Sequence, residues 1–236
     1  MSKIISNERL CFDFYLMRAE CANEARMGQF YMLRAWDRYP VLSRPVSVFD
    51  TDGETVSFLY KVVGKGTEIF SGLKAEGDIT IQGPLGNSFP EVSGNIALVG
   101  GGVGIAPLYL AAKQLKVACS GCQIDIYLGF SKQEFLTDEY RQVADSVIVD
   151  VGGFITDTVE PSRYDHLLTC GPEAMMRTLY EKCKKDDTAE KLYVSLESRM
   201  ACGVGACFGC SRKTADGNKK ICKDGPVFKA KAVFEI

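Results

Sequence analysis

The sequence predicts an antiparallel β-barrel followed by a doubly wound parallel α/β unit and a cysteine-rich C-terminal segment. Three observations support this fold class. Residues 1–93 contain short alternating or apolar runs separated by Gly, Asp and Pro, as in successive hairpins. From residue 94, apolar strands alternate with helices, which is typical of a parallel sheet. Residues 197–236 are rich in Gly and Cys. We therefore expect three parts: 1–93, 94–196 and 197–236.

The composition is that of an ordinary globular protein. The chain has 236 residues, of which 46% are hydrophobic, and a formal net charge of −2, so it is long enough for two compact units. It has no block of basic residues, which argues against a nucleic-acid partner. Its apolar runs are short, so we expect no membrane-spanning helix. The N-terminus lacks the apolar core of a signal peptide, and we expect a cytoplasmic protein.

The first unit is predicted to contain five strands and one helix. The strands are expected at residues 10–18, 30–35, 47–49, 55–63 and 78–82, and the helix at 67–73. Asp52 and Gly53 form a typical hairpin turn. A block of short strands of this kind favours a small antiparallel barrel.

The second unit is predicted to alternate strands with helices. Strands are expected at residues 96–99, 123–130, 147–151, 165–169 and 191–196, and helices at 105–116, 134–144 and 172–184. This order is typical of a doubly wound sheet, whose ligands bind beyond the carboxyl ends of the strands.

Two turns of the second unit are candidate nucleotide-binding loops. The first contains Gly101, Gly102, Gly104 and Pro107, and its backbone N–H groups at a helix start would suit a pyrophosphate. It is not a full G-x-G-x-x-G motif because Pro107 stands at the third position, and a plain tight turn is the alternative.

The second candidate loop contains Cys170, Gly171 and Pro172, which follow a later strand and again open a helix. Two such turns on one sheet suggest a dinucleotide that lies across both. Cys170 is a candidate for a direct contact with the nicotinamide, or else simply a small residue at a strand end.

The first unit offers two weaker candidates for phosphate binding. In the run Arg44, Pro45, Val46 and Ser47, the guanidinium is a planar fork of donors for a phosphate, and the serine hydroxyl can donate to a ring nitrogen. Taken alone, this run is a weak signal, and an exposed strand start is the more common explanation. Gly66 and Thr67 lie in a glycine-rich turn that could contribute further phosphate contacts or simply lead into a helix.

The most specific pattern in the chain consists of Cys202, Cys207, Cys210 and Cys222. The first three have the C-x4-C-x2-C spacing of plant-type [2Fe–2S] proteins, and the fourth follows eleven residues later. A structural zinc site is the alternative, although zinc ribbons usually use two C-x2-C pairs. The separate pair Cys119 and Cys122 is interpreted as free surface thiols.

Together these motifs resemble the ferredoxin–NADP reductase-like superfamily. Within it, the chain closely resembles the family of electron-transfer subunits of class 1B dihydroorotate dehydrogenases. The resemblance extends over essentially the whole chain. It also rests on Leu59, Tyr60 and Lys61, on the run 83–86, and on residues 197–203 and 222–228 around the cysteines.

The resemblance implies FAD on the barrel, NAD(H) on the α/β unit and a [2Fe–2S] cluster on the C-terminal segment. Arg44 to Ser47, Leu59 to Lys61, Gly66 and Thr67 would then contact the FAD. The resemblance further implies a catalytic partner that contains FMN and oxidises dihydroorotate in pyrimidine synthesis, in a heterotetramer with two subunits of each kind.

Two other functions remain open from the sequence. One is a flavin and iron–sulfur subunit of another oxidoreductase, such as a ferredoxin-NADP oxidoreductase, a sulfide dehydrogenase or a hydrogenase. The other is a zinc-stabilised interaction module without enzymatic activity. NAD is expected rather than NADP, although Ser131 and Lys132 follow the second strand, where a cation would bind a 2′-phosphate.

Overall fold

The first unit is an antiparallel sheet with one short helix. A computed structural model describes residues 1–235. The elements of this unit are β1 (Ser2–Cys11), β2 (Phe14–Glu20), β3 (Phe30–Arg34), β4 (Arg44–Ser47), β5 (Asp50–Thr51), β6 (Thr55–Lys61), α1 (Lys65–Ser71) and β7 (Asp78–Leu85). The strand order is β4-β3-β7-β1-β2-β6-β5. Residues of β4 and β6, which lie near opposite edges, line one cavity, so the sheet curls as a barrel requires.

Two strand predictions for this unit were wrong in their bounds. The predicted strand 10–18 contains a tight turn at Phe12, whose φ of 37° ends β1. The predicted strand 47–49 lies too late, because Arg44 to Ser47 form β4 and pair with β3. Val48 and Phe49 are buried without belonging to a strand, so their apolar character reflects packing rather than strand pairing.

The second unit is the predicted doubly wound sheet. Its elements are β8 (Asn95–Gly101), α2 (Ala106–Ala118), β9 (Gln123–Phe130), α3 (Thr137–Arg141), β10 (Ser146–Val151), β11 (His166–Cys170), α4 (Glu173–Lys185) and β12 (Leu192–Ser195). These five strands are parallel, in the order β10-β9-β8-β11-β12. The fold-class prediction is confirmed.

The alternation of side chains along β8 explains how the sheet is covered on both faces. Ile96 and Leu98 pack in the core that contains residues of α2, whereas Ala97 and Val99 pack in the core that contains residues of α4. Successive side chains of a strand point to opposite faces. A strand buried on both faces therefore appears in the sequence as a continuous apolar run, and the apolar run at residues 96–99 predicted β8.

One helix of this unit is much shorter than predicted. The predicted helix 134–144 is reduced to α3, five residues long. Leu136, directly before it, has a left-handed φ of 59°, which is incompatible with a continuing helix. Its side chain is buried in the core with Phe135, so tertiary packing overrides the local helical preference.

The C-terminal segment extends the second unit and also contacts the first. It contains β13 (Ser211–Thr214), β14 (Gly217–Lys220), α5 (Ile221–Asp224), β15 (Val227–Lys229) and α6 (Ala230–Phe234). β15 adds an antiparallel edge strand beside β12. The amide of Asn87 donates to the Val227 carbonyl at 2.8 Å and accepts from its N–H at 2.9 Å. Within residues 1–235, no helix is long and apolar enough to cross a membrane.

Candidate functional site

The two predicted nucleotide loops meet at one point of the parallel sheet. The first loop follows β8 and the second follows β11, and these strands are neighbours in register, with Cys170 opposite Gly100. The chain reverses its winding direction between these strands. Ligands of open α/β sheets bind at such a switch point, so the topology brings both loops to the expected place.

The two loops are in direct backbone contact at Gly104. A Cβ atom at this position would lie 2.4 Å from the Gly171 Cα and 2.5 Å from the Cys170 carbonyl oxygen. Only a residue without a side chain permits this approach. Gly104 therefore joins the loops into one surface, and α2 begins immediately beyond it.

A buried tyrosine supports the first loop from behind. The Tyr140 hydroxyl, on α3, donates to the Ile105 carbonyl oxygen at 2.7 Å. Tyr140 is fully buried, and burial raises the pKa of its phenol well above the ordinary value. The phenol therefore stays protonated and keeps donating. The sequence analysis missed this residue, because only the tertiary fold brings α3 against the loop.

A cavity of about 270 Å³ lies between the two units and the C-terminal segment. Most of the predicted flavin-contacting residues and three residues of the nucleotide loops line it. These predicted residues are Arg44, Pro45, Val46, Ser47, Leu59, Tyr60, Lys61, Thr67, Gly104, Pro107 and Cys170. The fold thus gathers into one cavity residues that are up to 126 positions apart in the chain, from Arg44 to Cys170.

The remaining predicted residues lie around this cavity rather than in its lining. Gly66 packs under Arg44, since a Cβ there would meet the Arg44 Nε at 2.5 Å. Gly101 and Pro172 contact each other, with the Pro172 Cδ 3.2 Å from a Cβ built at Gly101. Gly102 opens into a separate cleft of about 180 Å³. Gly171 forms the contact with Gly104 described above.

Two side chains on the barrel side are already engaged within their own loops. The Arg44 guanidinium donates to the Leu42 carbonyl oxygen and lies 5.3 Å from the Trp36 ring. The Thr67 hydroxyl donates to the Gly64 carbonyl oxygen at 3.0 Å and accepts from the backbone N–H of Val63 at 2.9 Å. Arg44 keeps further N–H donors for a phosphate, whereas Thr67 acts mainly by fixing its turn.

The four predicted cluster ligands lie in one loop region and form two pairs. Cys202 contacts Cys207, and Cys210 contacts Cys222. In the described part of the chain, no three Cys, His, Asp or Glu side chains surround one point where a single metal ion could bind. A pairwise arrangement suits a [2Fe–2S] cluster, whose four thiolates are shared between two irons, better than a single tetrahedral ion.

Backbone N–H groups point at the cysteine sulfurs. The N–H of Gly205 donates to the Cys222 sulfur at 3.1 Å, and Gly205 adopts a φ of 80° that favours glycine. Backbone N–H groups, led by that of Cys207, lower the pKa of the Cys202 thiol to about 6. Burial raises the pKa of Cys222 to about 12. Ligation deprotonates such thiols, so cluster binding would overcome this burial cost.

The sequence analysis assigned no role to a carboxylic acid that lies in the cavity. Glu197 lines it directly after β12, beside Ser195 and Met200. Desolvation of its carboxylate in the cavity raises the pKa of Glu197. Burial, and then the charge of Glu197, raise the pKa of Cys170 well above that of an ordinary thiol, so Cys170 stays protonated. The position of Glu197 at the carboxyl end of a parallel strand is the signal that could have found it.

The interpretation of Cys119 and Cys122 as free surface thiols was wrong in this structure. The two sulfurs are joined in a disulfide, and Cys122 is only 5% exposed. The cause is the tight turn between α2 and β9, which brings the two Cα atoms to 5.5 Å, within the range for a disulfide.

Another cleft, of about 720 Å³, lies beside α2 and the edge strand β15. Its lining includes Arg26, Lys113, Tyr193 and Lys229 and none of the predicted site residues. The predicted site residues line the smaller cavity instead. The volume of a cleft therefore does not identify the functional site in this protein.

Comparison with known proteins links these features to one family. A family model described as the iron-sulfur cluster binding domain of dihydroorotate dehydrogenase B matches residues 197–234. The chain is 42% identical to the dihydroorotate dehydrogenase B (NAD(+)) electron transfer subunit of Clostridium acetobutylicum, over 97% of this chain and 94% of that protein. It is 36% identical to the subunit of the same name from Caldanaerobacter subterraneus, over 99% and 97% of the two chains.

Solved structures share the fold. One from a study of the NADH-dependent reduced ferredoxin-NADP oxidoreductase has a TM-score of 0.89 and 31% identity, over 99% of this chain and 89% of that chain. A ferredoxin NADP+ reductase from Neisseria gonorrhoeae, with bound FAD and NADP, has a TM-score of 0.65 at 14% identity, over 78% and 89%. At 14% identity, the similarity to the Neisseria gonorrhoeae reductase shows a shared fold and nothing more.

Proposed function

Since the chain belongs to the family of dihydroorotate dehydrogenase B (NAD+) electron transfer subunits, we propose that it relays electrons from the FMN of a catalytic subunit to NAD+. The relay uses a [2Fe–2S] cluster and FAD. The catalytic subunit oxidises dihydroorotate, and the relay serves pyrimidine synthesis. We assign the barrel to residues 1–93, the NAD-binding unit to 94–196 and the cluster-binding segment to 197–236.

We assign the FAD to the cavity between the two units. Arg44 would bind the pyrophosphate with its free guanidinium N–H groups, and the Ser47 hydroxyl would donate to the ring system. Pro45, Val46 and residues 59–61 would pack against the flavin, while Gly66 and Thr67 hold the turn beside Arg44. When bound, the flavin links the two-electron chemistry of NAD(H) to the one-electron chemistry of the cluster.

We assign the NAD(H) to the joined loops at the switch point. The backbone N–H groups of Gly101, Gly102 and Gly104 would face the pyrophosphate, with Pro107 in the first turn of α2. The second loop, Cys170 to Pro172, would face the nicotinamide side. Cys170 is buried and protonated beside the flavin cavity, which suits a packing contact rather than a nucleophile.

One observation carries the proposal more than any other. Glu197, Ser198 and Met200 are among the residues that line the cavity, and Cys202 follows Met200 by two residues. A molecule in this cavity therefore contacts the loop that holds the cluster ligands. The same cavity reaches Cys170 and Gly104 of the nucleotide loops, so the geometry supports an uninterrupted path between NAD and cluster.

The nucleotide preference follows the family name, NAD(+). The cation that the sequence offered for a 2′-phosphate, Lys132, lies with its ammonium 5.3 Å from the ring of Phe12. Lys132 also lines the cleft into which Gly102 opens, so the choice of NAD rests on the family name and not on this contact. We expect NADH to be oxidised with a far higher kcat/KM than NADPH, and equal values would contradict the assignment.

The assembly remains part of the proposal. The name of the relatives, electron transfer subunit, fits a chain that works with a catalytic partner. We propose a heterotetramer with two subunits of each kind and a cytoplasmic location. Mass measurement of the co-expressed complex and cell fractionation test these two points.

The test of the proposal is a cofactor analysis followed by reconstitution. Protein purified without oxygen should contain one FAD, two iron and two sulfide per chain. Mixed with the FMN-containing catalytic subunit, it should reduce NAD+ when dihydroorotate is added. Bound zinc without flavin would overturn the proposal and support the interaction module.

A second candidate function shares the cofactors but has a different partner. The structural likeness to the NADH-dependent reduced ferredoxin-NADP oxidoreductase, at 31% identity over nearly the whole chain, favours it. The two candidates differ in the partner that delivers electrons. Reduction of NADP+ by reduced ferredoxin, with no response to dihydroorotate and the catalytic subunit, would support this second function.

A further inference from the structure

A pair of cysteines lies outside the cofactor cavity. Cys119 directly follows α2 and Cys122 directly precedes β9, with only Ser120 and Gly121 between them. Their Cα atoms are 5.5 Å apart and their sulfurs are joined. Within residues 1–235, no third Cys, His, Asp or Glu completes a metal site with them. The chemistry of this pair is therefore that of a dithiol and its disulfide.

The cross-link contributes little to the stability of the fold. It closes a ring of only four residues, 119–122, and a disulfide stabilises mainly by restricting the unfolded chain, more so for longer loops. The turn is also closed by its backbone, because the Cys122 N–H donates to the Cys119 carbonyl oxygen at 3.2 Å and the Cys119 N–H donates to that of Leu115 at 2.9 Å. A purely structural role therefore explains little about this pair.

The two cysteines differ in their access to solvent. Cys122 is buried in the core that contains residues of α2, whereas Cys119 is half-buried and is followed by the exposed residues Ser120 and Gly121. The rate of thiol–disulfide exchange depends on access to the sulfur that reacts. Cys119 is therefore the residue that would form a mixed disulfide with an outside reagent, and Cys122 is the one that would resolve it.

The buried member of the pair contacts the linker between the two units. Residues 86–94 form this linker, which connects β7 to β8. The Cys122 sulfur lies 3.8 Å from the Val92 carbonyl oxygen, and the N–H of the next residue, Gln123, donates to the Gly94 carbonyl oxygen at 3.1 Å. A thiol is a weak donor, whereas a disulfide sulfur has no proton to donate. Reduction therefore lets Cys122 donate to the linker, and oxidation removes this donor.

We propose that Cys119 and Cys122 form a site of reversible oxidation by a small-molecule disulfide, and that the redox state of this site sets how firmly the linker is held. In the oxidised state, the end of α2 is cross-linked to the start of β9. In the reduced state, the Cys122 thiol donates to Val92 instead. The inference is independent of the proposed function, since it uses neither the flavin nor the cluster.

The reaction transfers two electrons in two exchange steps. The Cys119 thiolate attacks one sulfur of the small disulfide, so that a new S–S bond forms while the S–S bond of the reagent breaks and one thiol leaves. The Cys122 thiolate then attacks the Cys119 sulfur and releases the second thiol. The two cysteines are oxidised and lose two protons, and the reagent is reduced to two thiols. An excess of thiol reverses both steps.

The experiment follows one tryptic peptide of the protein purified without oxygen. Cleavage after Lys116 and Lys132 releases residues 117–132, which contain Cys119 and Cys122 and no other cysteine. The folded protein is equilibrated in mixtures of glutathione and glutathione disulfide, quenched with acid, alkylated and digested, and the peptide mass gives the number of free thiols. Hydrogen exchange of the linker is measured in the fully reduced and the fully oxidised protein.

The number of alkylated cysteines in this peptide should fall from two to zero as the share of glutathione disulfide rises, and should return to two with excess glutathione. Cys122→Ser should trap a glutathione adduct on Cys119, whereas Cys119→Ser should leave Cys122 at least about 10-fold slower to react. Hydrogen exchange in the linker should be about 2- to 5-fold faster in the oxidised protein, as expected for the loss of one hydrogen bond. Cys21→Ser removes a half-exposed free thiol of the barrel and should change none of these results.

Three results would overturn the inference. Two alkylated cysteines at every glutathione ratio would show that no disulfide forms in the folded protein. No alkylated cysteine at any ratio, even with excess glutathione, would show a permanent cross-link. Equal hydrogen exchange of the linker in the reduced and oxidised proteins would show that the redox state of the pair does not affect the linker.

Discussion

Replacing Gly104 by alanine tests whether the contact between the two nucleotide loops matters. The added methyl group would lie 2.4 Å from the Gly171 Cα, 2.5 Å from the Gly171 nitrogen and 2.5 Å from the Cys170 carbonyl oxygen. All three are backbone atoms, so no side-chain rotation relieves the clash. The loops must move apart, or the strands that carry them must shift.

The expected cost follows from the size of the overlap. Inserting a methylene into a packed region typically costs about 1–3 kcal/mol. If the loops part, NADH binding must bring them together again and bears this cost. Because 1.4 kcal/mol corresponds to a factor of ten, the Kd for NADH should rise about 5- to 150-fold. If the loops stay together, the free energy of unfolding should fall by the same amount instead.

Gly121→Ala is the matched control. Position 121 lies in the turn after α2, its φ is outside the left-handed region, and a Cβ there meets no atom within 4 Å. This variant should change the free energy of NADH binding and the free energy of unfolding by less than about 0.5 kcal/mol each. The assays are the dependence of the flavin reduction rate on NADH concentration, whose half-saturation gives the Kd, and urea unfolding. If Gly104→Ala matches Gly121→Ala in both assays, the reasoning from the loop contact is refuted.

Three further predictions concern groups outside that contact. Tyr140→Phe removes the donor to the buried Ile105 carbonyl and should lower the free energy of unfolding by about 1–2 kcal/mol in urea; an unchanged midpoint would exclude this role. Arg212 donates to Glu173 at 2.7 and 2.8 Å and lowers its pKa from 4.5. Stability from the pair is therefore present above pH 4.5 and lost as the pH falls through the lowered pKa. Glu173→Gln should cost about 0.5–1 kcal/mol at pH 7 and nothing near pH 2, and thermal unfolding curves displaced equally at both pH values would contradict this. Cys210→Ser should remove the iron and the EPR signal while FAD and NADH oxidation with an artificial acceptor persist; loss of FAD as well would show that the loop folds only around the cluster.

The strands and helices of the second unit were predicted well because their signals are local. A strand buried on both faces reads as a continuous apolar run, as at residues 96–99, and glycine or proline marks its ends. The wrong predictions concern positions where tertiary packing determines the backbone conformation. Leu136 looked like part of a helix, yet the core holds it in a left-handed conformation that delays the start of α3. The turn at Phe12 was missed because the residues on both sides of it are mostly apolar, and only Asp13 interrupts the run.

The sequence determined which chemical groups this protein offers. The spacing of Cys202, Cys207 and Cys210 and the two glycine-containing loops are constrained within a few residues, so each can be recognised without knowing the fold. The tertiary structure decided what those groups form together. It paired the cysteines, joined Gly104 to Gly171, and added Glu197 and Tyr140 to the site. These contacts depend on strand order and on the packing of distant segments, and no short stretch of sequence contains that information.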